Sequence, residues 1–221
     1  MSNSINKSPS IRMPNGLSIG YNESLATVSD SVELEGGTHY LLARNGRGKT
    51  TLLRTLAGVL KPIDGRHDCD GACQFLGEDM EFDRELPAKI ILKSLLNKEA
   101  SKKALHLAER LELDVNKPYG KLSTGNKRKV LLLVAEFSVD PKRGDILLLD
   151  EPFTGLDAFA REIFQEMWKE RDDSILRLVS CHPDFDSMKV ESAVLISDGA
   201  ISHLTGEGAP EEWGELKGFL N

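Results

Sequence analysis

The alternation of apolar and polar positions along the chain predicts an α/β fold. Short runs typical of strands occupy residues 17–21, 29–34, 38–42, 73–76, 145–149, 175–180 and 193–196. Apolar residues at helical spacing predict helices over residues 50–60, 89–113, 126–139 and 159–170. Residues 145–149 are almost continuously apolar, which is typical of a parallel strand buried on both faces. Strands that alternate with helices therefore predict a mostly parallel sheet.

One domain accounts for most of the chain. The 221 residues suffice for a single α/β domain, which we place at residues 15–221. The block at about residues 85–140 is helical and has no clear strand, so we expect a helical subdomain inserted between two halves of the sheet. Residues 1–14 are polar and lack the apolar core of a signal peptide, and we expect a disordered leader there.

Charge and hydropathy limit the classes of partner. The net charge is −7, which argues against a nucleic-acid surface, because phosphate backbones require concentrated Lys and Arg. The tight basic run Lys127-Arg128-Lys129 is interpreted as a solvated helix face. No stretch approaches the roughly 18 to 20 apolar residues that span a bilayer. We therefore expect any attachment to a membrane to occur through a partner.

The three cysteines, Cys69, Cys73 and Cys181, fit reduced thiols. His67, Cys69 and Cys73 are close enough in sequence to be considered as metal ligands. The intervening Asp and Gly residues favour a hairpin turn instead.

Residues 43–50, Ala-Arg-Asn-Gly-Arg-Gly-Lys-Thr, have the phosphate-loop pattern except at the first position, where Ala43 replaces Gly. Backbone N–H groups of such a loop surround phosphate oxygens, and the helix N-terminus adds partial positive charge. Lys49 would reach the β- and γ-phosphates, and the Thr50 hydroxyl would bind Mg²⁺. The residues expected to contact the phosphates are Asn45, Gly46, Arg47, Gly48, Lys49, Thr50 and Thr51.

The apolar run at residues 146–149 leads directly into Asp150 and Glu151. Ligands bind at the carboxyl ends of strands in α/β sheets, so both carboxylates are expected beside the phosphate loop. Asp150 would hold Mg²⁺ through water, and Glu151 would polarise the attacking water.

Residues 122–126, Leu-Ser-Thr-Gly-Asn, resemble the signature Leu-Ser-Gly-Gly-Gln of ATP-binding-cassette (ABC) ATPases, with Thr124 and Asn126 as departures. With the motifs above in the expected order, the chain resembles this family from about residue 17 to residue 204. The resemblance implies a P-loop NTPase fold with an N-terminal antiparallel β-part and a helical subdomain that presents the signature. It also implies a head-to-tail dimer, in which Ser123 and Gly125 contact the γ-phosphate bound to the other copy.

Further residues match the family by position. Asp157 resembles the D-loop aspartate at the dimer interface, His182 resembles the switch histidine that senses the γ-phosphate, and Tyr21 resembles the aromatic residue that stacks on adenine. The family's Q-loop glutamine is replaced by Glu78 or Asp79, and either carboxylate could bind Mg²⁺.

The resemblance implies an ATPase subunit that uses ATP and Mg²⁺ and energises transport through a separate integral-membrane permease. The chain is similar to small exporter-type cassettes such as the haem-exporter ATPase of cytochrome c maturation. A soluble ATPase acting on an assembly scaffold, of the iron–sulfur assembly type, is the alternative. We expect a cytoplasmic protein held at the membrane's cytoplasmic face by its partner.

Overall fold

The structure is a computed structural model that describes residues 8–170, 175–181, 190–205 and 216–220. Its strands are β1 (Ser10–Met13), β2 (Ser18–Gly20), β3 (Ser24–Val28), β4 (Val32–Leu34), β5 (Gly37–Ala43), β6 (Asp68–Asp70), β7 (Cys73–Leu76), β8 (Ile146–Leu149), β9 (Leu176–Cys181), β10 (Ser192–Ser197) and β11 (Ala200–Thr205). Its α-helices are α1 (Lys49–Leu56), α2 (Ala88–Leu95), α3 (Lys98–Arg110), α4 (Thr124–Ser138) and α5 (Ala158–Glu170).

The larger sheet has eight strands in the order β2-β3-β11-β10-β5-β9-β8-β7. Its five strands from β10 to β7 are parallel, whereas β2 pairs with β3 and β10 pairs with β11 in antiparallel fashion. Along β8, Leu147 and Leu149 face one apolar cluster, and Ile146 and Leu148 face the other. This strand is thus buried on both faces, and the predicted α/β class with a mostly parallel core is confirmed.

A smaller antiparallel sheet, in the order β4-β1-β6, contains part of the predicted leader. Ile11 and Met13 of β1 are fully buried and lie opposite Leu34 and Val32 of β4. The prediction of disorder for residues 1–14 is therefore wrong at Ser10–Met13; residues 1–7 lie outside the described part. Two apolar residues at alternate positions are too weak a sequence signal to identify so short a strand.

Several other boundaries differ from the prediction. The helix expected over residues 89–113 is divided at Leu96, because the Asn97 side chain accepts hydrogen bonds from the N–H groups of Glu99 and Ala100 and starts α3. The strand expected over residues 29–34 is present only as β4, while β3 precedes it. β6 and β11 were not predicted.

The helical subdomain consists of α2, α3 and α4, which pack against one another as expected for the inserted block. None of the helices in the described part of the chain has the length and apolar character needed to cross a lipid bilayer.

Candidate active site

The phosphate loop connects β5 to α1 at the carboxyl edge of the parallel strands. Ala43 is the last residue of β5 and pairs with Ile196 of β10, so its methyl group is buried in the sheet and not in the loop. Gly46 and Gly48 have φ angles of 74° and 111°, a backbone region that favours glycine. A Cβ at Gly48 would also lie 3.1 Å from the Leu25 side chain. The departure at position 43 therefore leaves the loop geometry intact.

A cavity of about 520 Å³ opens above this loop. It brings together the loop, the segment after β8 and the segment after β7. The residues that line it are Tyr21, Leu25, Asn45, Gly46, Gly48, Lys49, Thr50, Thr51, Glu78, Glu151 and Thr154. Most of the predicted nucleotide contacts thus share one surface. Arg47 is exposed and does not line it.

The Lys49 ammonium group is fixed among oxygen atoms. Its Nζ lies 3.3 Å from the Ala43 carbonyl oxygen, 3.4 Å from Asn45 Oδ1 and 3.3 Å from Glu151 Oε1. The Lys49 side chain is 8% exposed, so the positive charge is presented at the cavity wall and not to bulk solvent. A partly desolvated cation in this position favours an anionic ligand.

Asp150 and Glu151 are connected through Ser180, near the end of β9. The Ser180 hydroxyl donates a hydrogen bond to Asp150 Oδ1 at 2.8 Å and accepts one from the Glu151 backbone N–H at 2.7 Å. Asp150 is 2% exposed, while the Glu151 carboxylate lines the cavity. Glu151 also has a φ of 47°, an uncommon left-handed conformation that such contacts must maintain.

Two residues of the basic run are buried, so its interpretation as a solvated helix face is wrong. Arg128 is 5% exposed and Lys129 is 6% exposed. Arg128 donates hydrogen bonds from Nη2 to the Glu151 carbonyl oxygen at 3.0 Å and from Nη1 to the Gly77 carbonyl oxygen at 3.5 Å. Burial lowers the pKa of Arg128, although the charges of nearby Glu78, Asp150 and Glu151 oppose that shift. Lys129 donates to the Leu111 carbonyl oxygen at 2.9 Å.

The signature residues begin α4. Ser123 caps this helix, since its Oγ accepts a hydrogen bond from the Asn126 N–H at 3.3 Å. A Cβ at Gly125 would collide with the carbonyl oxygen of Gly155, so backbone packing within the chain already requires glycine there. Ser123 and Gly125 do not line the phosphate cavity of their own chain.

Asp157 caps the next helix. Its Oδ1 accepts a hydrogen bond from the Ala160 N–H at 2.7 Å, and Oδ2 lies 3.5 Å from Lys129 Nζ. The hydrogen bond from Ala160, with the nearby Lys129 charge, lowers the pKa of Asp157. The carboxylate is mostly exposed and lies outside the cavity lining.

The two acidic candidates after β7 occupy different surroundings. Glu78 lines the phosphate cavity, whereas Asp79 is 87% exposed and lies 3.9 Å from Arg54. The cavity therefore favours Glu78 over Asp79 as the residue in the glutamine position.

Tyr21 is at the rim of the cavity, 60% exposed, with its hydroxyl 3.4 Å from Arg54 Nη1. His182 lies outside the described residues.

Comparison with known proteins decides the family. The family model described as ABC transporter matches residues 29–154, more than half of the chain, which include the phosphate loop, the signature and the segment through Glu151. The chain belongs to the ABC transporter family. The family predicted from the sequence is thereby confirmed.

Individual relatives of this ABC transporter chain cover its length only in part. It is 34% identical over 155 residues to an uncharacterised ABC transporter ATP-binding protein of Methanocaldococcus jannaschii, and the match covers 64% of this chain and 57% of the relative. It is 34% identical over 141 residues to the cytochrome c biogenesis ATP-binding export protein CcmA of Zymomonas mobilis, with 62% of each protein covered. The chain thus spans roughly three-fifths of the length of these two relatives.

A solved structure supports the ABC fold. A putative ABC transporter ATP-binding protein from Pyrococcus furiosus superposes with a TM-score of 0.70 at 23% identity, and the match covers 85% of this chain and 97% of that one. At this identity the likeness concerns the fold alone. The α/β architecture described above is therefore that of ABC nucleotide-binding domains.

Four site residues of this ABC domain were not identified from the sequence: Leu25, Arg128, Thr154 and Ser180. Leu25 and Thr154 line the cavity from segments with no phosphate-binding pattern. Ser180 directly precedes Cys181 and His182 at the end of a predicted strand, which was an available signal. Arg128 follows the signature by only two residues, but a basic residue on a helix usually indicates a solvated face.

Proposed function

We propose that this chain binds and hydrolyses Mg-ATP and thereby energises transport by a membrane-spanning partner. The observation that supports this most is the arrangement of Lys49, Thr50 and Glu151 around one cavity at the carboxyl edge of the parallel sheet. A phosphate loop opposite a carboxylate is the arrangement that phosphoryl transfer to water requires. Membership of the ABC transporter family agrees with it.

In the proposed reaction the chain positions the triphosphate and the attacking water. The N–H groups of the loop and the N-terminus of α1 hold the phosphate oxygens, Lys49 neutralises the β- and γ-phosphates, and Tyr21 stacks on adenine. Glu151 accepts a hydrogen bond from water and orients it for in-line attack on the γ-phosphorus. His182 is proposed as the group that senses the γ-phosphate.

Mg²⁺ fits the donor set of this cavity. Thr50 supplies a hydroxyl oxygen and Glu78 a carboxylate at the cavity, and these are the hard oxygen ligands that this ion prefers. Asp150 is buried beneath the cavity and would hold the ion through water. When bound with ATP, Mg²⁺ would neutralise phosphate charge. Because Glu78 and Glu151 are both acidic and line the same cavity, a tetra-anionic ATP would be repelled there without that compensation.

A second copy of the chain is proposed to complete the site. Ser123 caps α4 and lies outside its own cavity, which leaves the N-terminus of α4 available to an anion bound by another protomer. ATP would then connect two chains head to tail, and loss of the γ-phosphate would separate them. This cycle of closing and opening is the proposed output.

This chain has a groove that is a candidate docking site for the proposed membrane partner. A groove of about 260 Å³ lies between the helical subdomain and the sheet, beside the segment that contains Glu78. Its lining is mainly apolar and includes Phe75, Met80, Phe82 and Val134. Such a groove suits an amphipathic helix of a permease, which would hold this chain at the cytoplasmic face of the membrane.

Nucleotide binding is tested by equilibrium dialysis with labelled ATP, with Mg²⁺ and with excess chelator. Wild-type protein is expected to bind ATP, and Lys49→Ala to bind about tenfold or more weakly, because a charge-assisted contact of roughly 1.5–3 kcal/mol is lost. Lys103→Ala, which removes an exposed lysine from α3, is the matched control. Equal affinity in all three proteins would refute the site.

The membrane partner is tested by affinity capture from detergent-solubilised membranes with tagged Glu151→Gln protein and Mg-ATP. Stoichiometric recovery of a multi-spanning protein is expected. Val134→Asp places a charge in the groove and should abolish recovery, whereas Val59→Asp, at an exposed position, should not. Recovery of soluble proteins alone would favour a role on a soluble scaffold.

A further inference from the structure

Two cysteines lie where the two sheets approach each other. Cys69 is the central residue of β6 and pairs with Ile11 of the small sheet. Cys73 is the first residue of β7 and pairs with Ile146 at the edge of the large sheet. Between them is a tight turn at Gly71, which has a φ of 149° and where a Cβ would collide with the carbonyl oxygen of Gly144. Glycine is therefore required at this turn, which places the two cysteines on consecutive strands.

The two thiols are neighbours on consecutive strands. Both are free, and they are close enough that each shifts the pKa of the other. Cys69 Sγ also lies 3.7 Å from the Leu56 carbonyl oxygen at the end of α1. Both residues are partly exposed, so a small solute can reach them from solvent.

The contact makes the two sulfur atoms chemically unequal. The hydrogen bond from Cys69 lowers the pKa of the Cys73 thiol, and the same bond, with burial, raises the pKa of Cys69. A thiolate is the nucleophilic form of cysteine, so Cys73 is the sulfur atom suited to attack.

We propose that Cys69 and Cys73 form a redox site that a peroxide converts into an intrachain disulfide. Cys73 thiolate attacks one peroxide oxygen; the O–O bond breaks, and with one proton taken up a water molecule leaves and Cys73 becomes a sulfenic acid. Cys69 sulfur then attacks Cys73 sulfur, and its proton leaves with the hydroxide as a second water. Two thiols lose two electrons in total, and hydrogen peroxide gains them.

The bond would join the two sheets covalently. β6 belongs to the small sheet, and β7 leads through Leu76 to Glu78 at the phosphate cavity. A metal centre is a weaker interpretation, because the described residues contain no group of three or more His, Cys, Asp or Glu that could hold an ion. A thiol pair with no further ligand in the described part of the chain suits oxidation better than coordination.

The test treats reduced full-length protein, in a Cys181→Ser background, with hydrogen peroxide. Trypsin leaves both cysteines on one peptide, residues 67–84. This peptide is expected to lose the mass of two hydrogen atoms and to regain it with dithiothreitol. Retention of both thiols, under conditions that oxidise free glutathione, would overturn the proposal, as would independent sulfinic acids on the two residues.

Single variants separate the two roles. Cys69→Ser should accumulate a sulfenic acid on Cys73 that dimedone traps, because the resolving thiol is missing. Cys73→Ser should give little trapped adduct on Cys69. Equal trapping in both variants would contradict the assignment of Cys73 as the attacking thiol. Circular dichroism of each variant before oxidation establishes that it is folded.

Discussion

Arg128 donates a hydrogen bond from Nη2 to the backbone carbonyl oxygen of Glu151, across 3.0 Å. The same guanidinium group contacts the Gly77 carbonyl oxygen, one residue before Glu78. A side chain of the signature helix α4 therefore holds the backbone of the proposed catalytic carboxylate and the segment after β7 together. Because Glu151 has a left-handed φ, the contact fixes a conformation that the residue does not favour by itself.

Arg128→Gln should reduce turnover of ATP more than it changes KM. The shorter amide cannot reach both carbonyl groups, and the carboxylate of Glu151 is then less well positioned for water. A loss of about 1.4 kcal/mol in the transition state corresponds to about tenfold in kcat. Steady-state kinetics test this, with Lys127→Gln as the neighbouring control. If Arg128→Gln and Lys127→Gln lost equal factors in kcat, the effect would be due to the change in net charge.

Ser180→Ala should destabilise the fold and slow hydrolysis together. It removes the donor to buried Asp150 and the acceptor for the Glu151 N–H, and each unsatisfied buried group costs about 1–3 kcal/mol. Urea unfolding and ATPase assays measure the two effects. Ser101→Ala in α3 removes one hydroxyl that donates a hydrogen bond to a helical carbonyl oxygen, and it should leave turnover unchanged.

The ion pair of Glu136 and Arg177 should contribute to stability only as a pair. Both side chains are fully buried, and two hydrogen bonds of 3.0 Å join them between α4 and β9. Arg177→Met removes the cation that pairs with this buried carboxylate and should cost about 3–5 kcal/mol, whereas Glu136→Leu combined with Arg177→Met should recover much of it. The exposed pair Arg12–Glu33 is the comparison, because Glu33→Gln should cost at most about 1 kcal/mol.

Acidification should weaken the fold through His203. Burial, and then the charge of His39, lowers the pKa of His203 below its ordinary 6.5, and Ser192 Oγ lies 2.7 Å from a ring nitrogen of each histidine. The unfolded chain then binds more protons than the native state. The contribution of His203 to the free energy of unfolding is therefore complete above pH 6.5, and it decreases as the pH drops from 6.5 to the lowered native pKa. Urea unfolding at several pH values measures this, and His203→Gln should flatten the dependence. If the free energy of unfolding of His203→Gln depended on pH as steeply as that of the wild type, the effect would belong to another group.

The sequence was sufficient for the parts of the site that depend on local pattern. The phosphate loop, the strand before Asp150 and the cap at Ser123 each follow from residue type and spacing within a few residues. Arg128 and Ser180 do not, because their roles arise from contacts between α4, β9 and the residues after β8, which are far apart in sequence. A buried arginine differs from a solvated one only in tertiary context.

Three strands were missed for a related reason. β1 and β6 are short, β11 has a mixed polar and apolar sequence, and pairing partners decide whether such segments form strands at all. Ile11 and Met13 are buried only because β4 supplies Leu34 and Val32 opposite them.

The central claim, hydrolysis of ATP with Glu151 orienting water, is tested most directly by turnover of Glu151→Gln. Loss of the carboxylate should lower kcat by about 100-fold or more, while Mg-ATP binding persists and ATP stabilises a dimer. Glu162→Gln, an exposed carboxylate on α5, should hydrolyse ATP like the wild type. Near-wild-type turnover by Glu151→Gln would contradict the account.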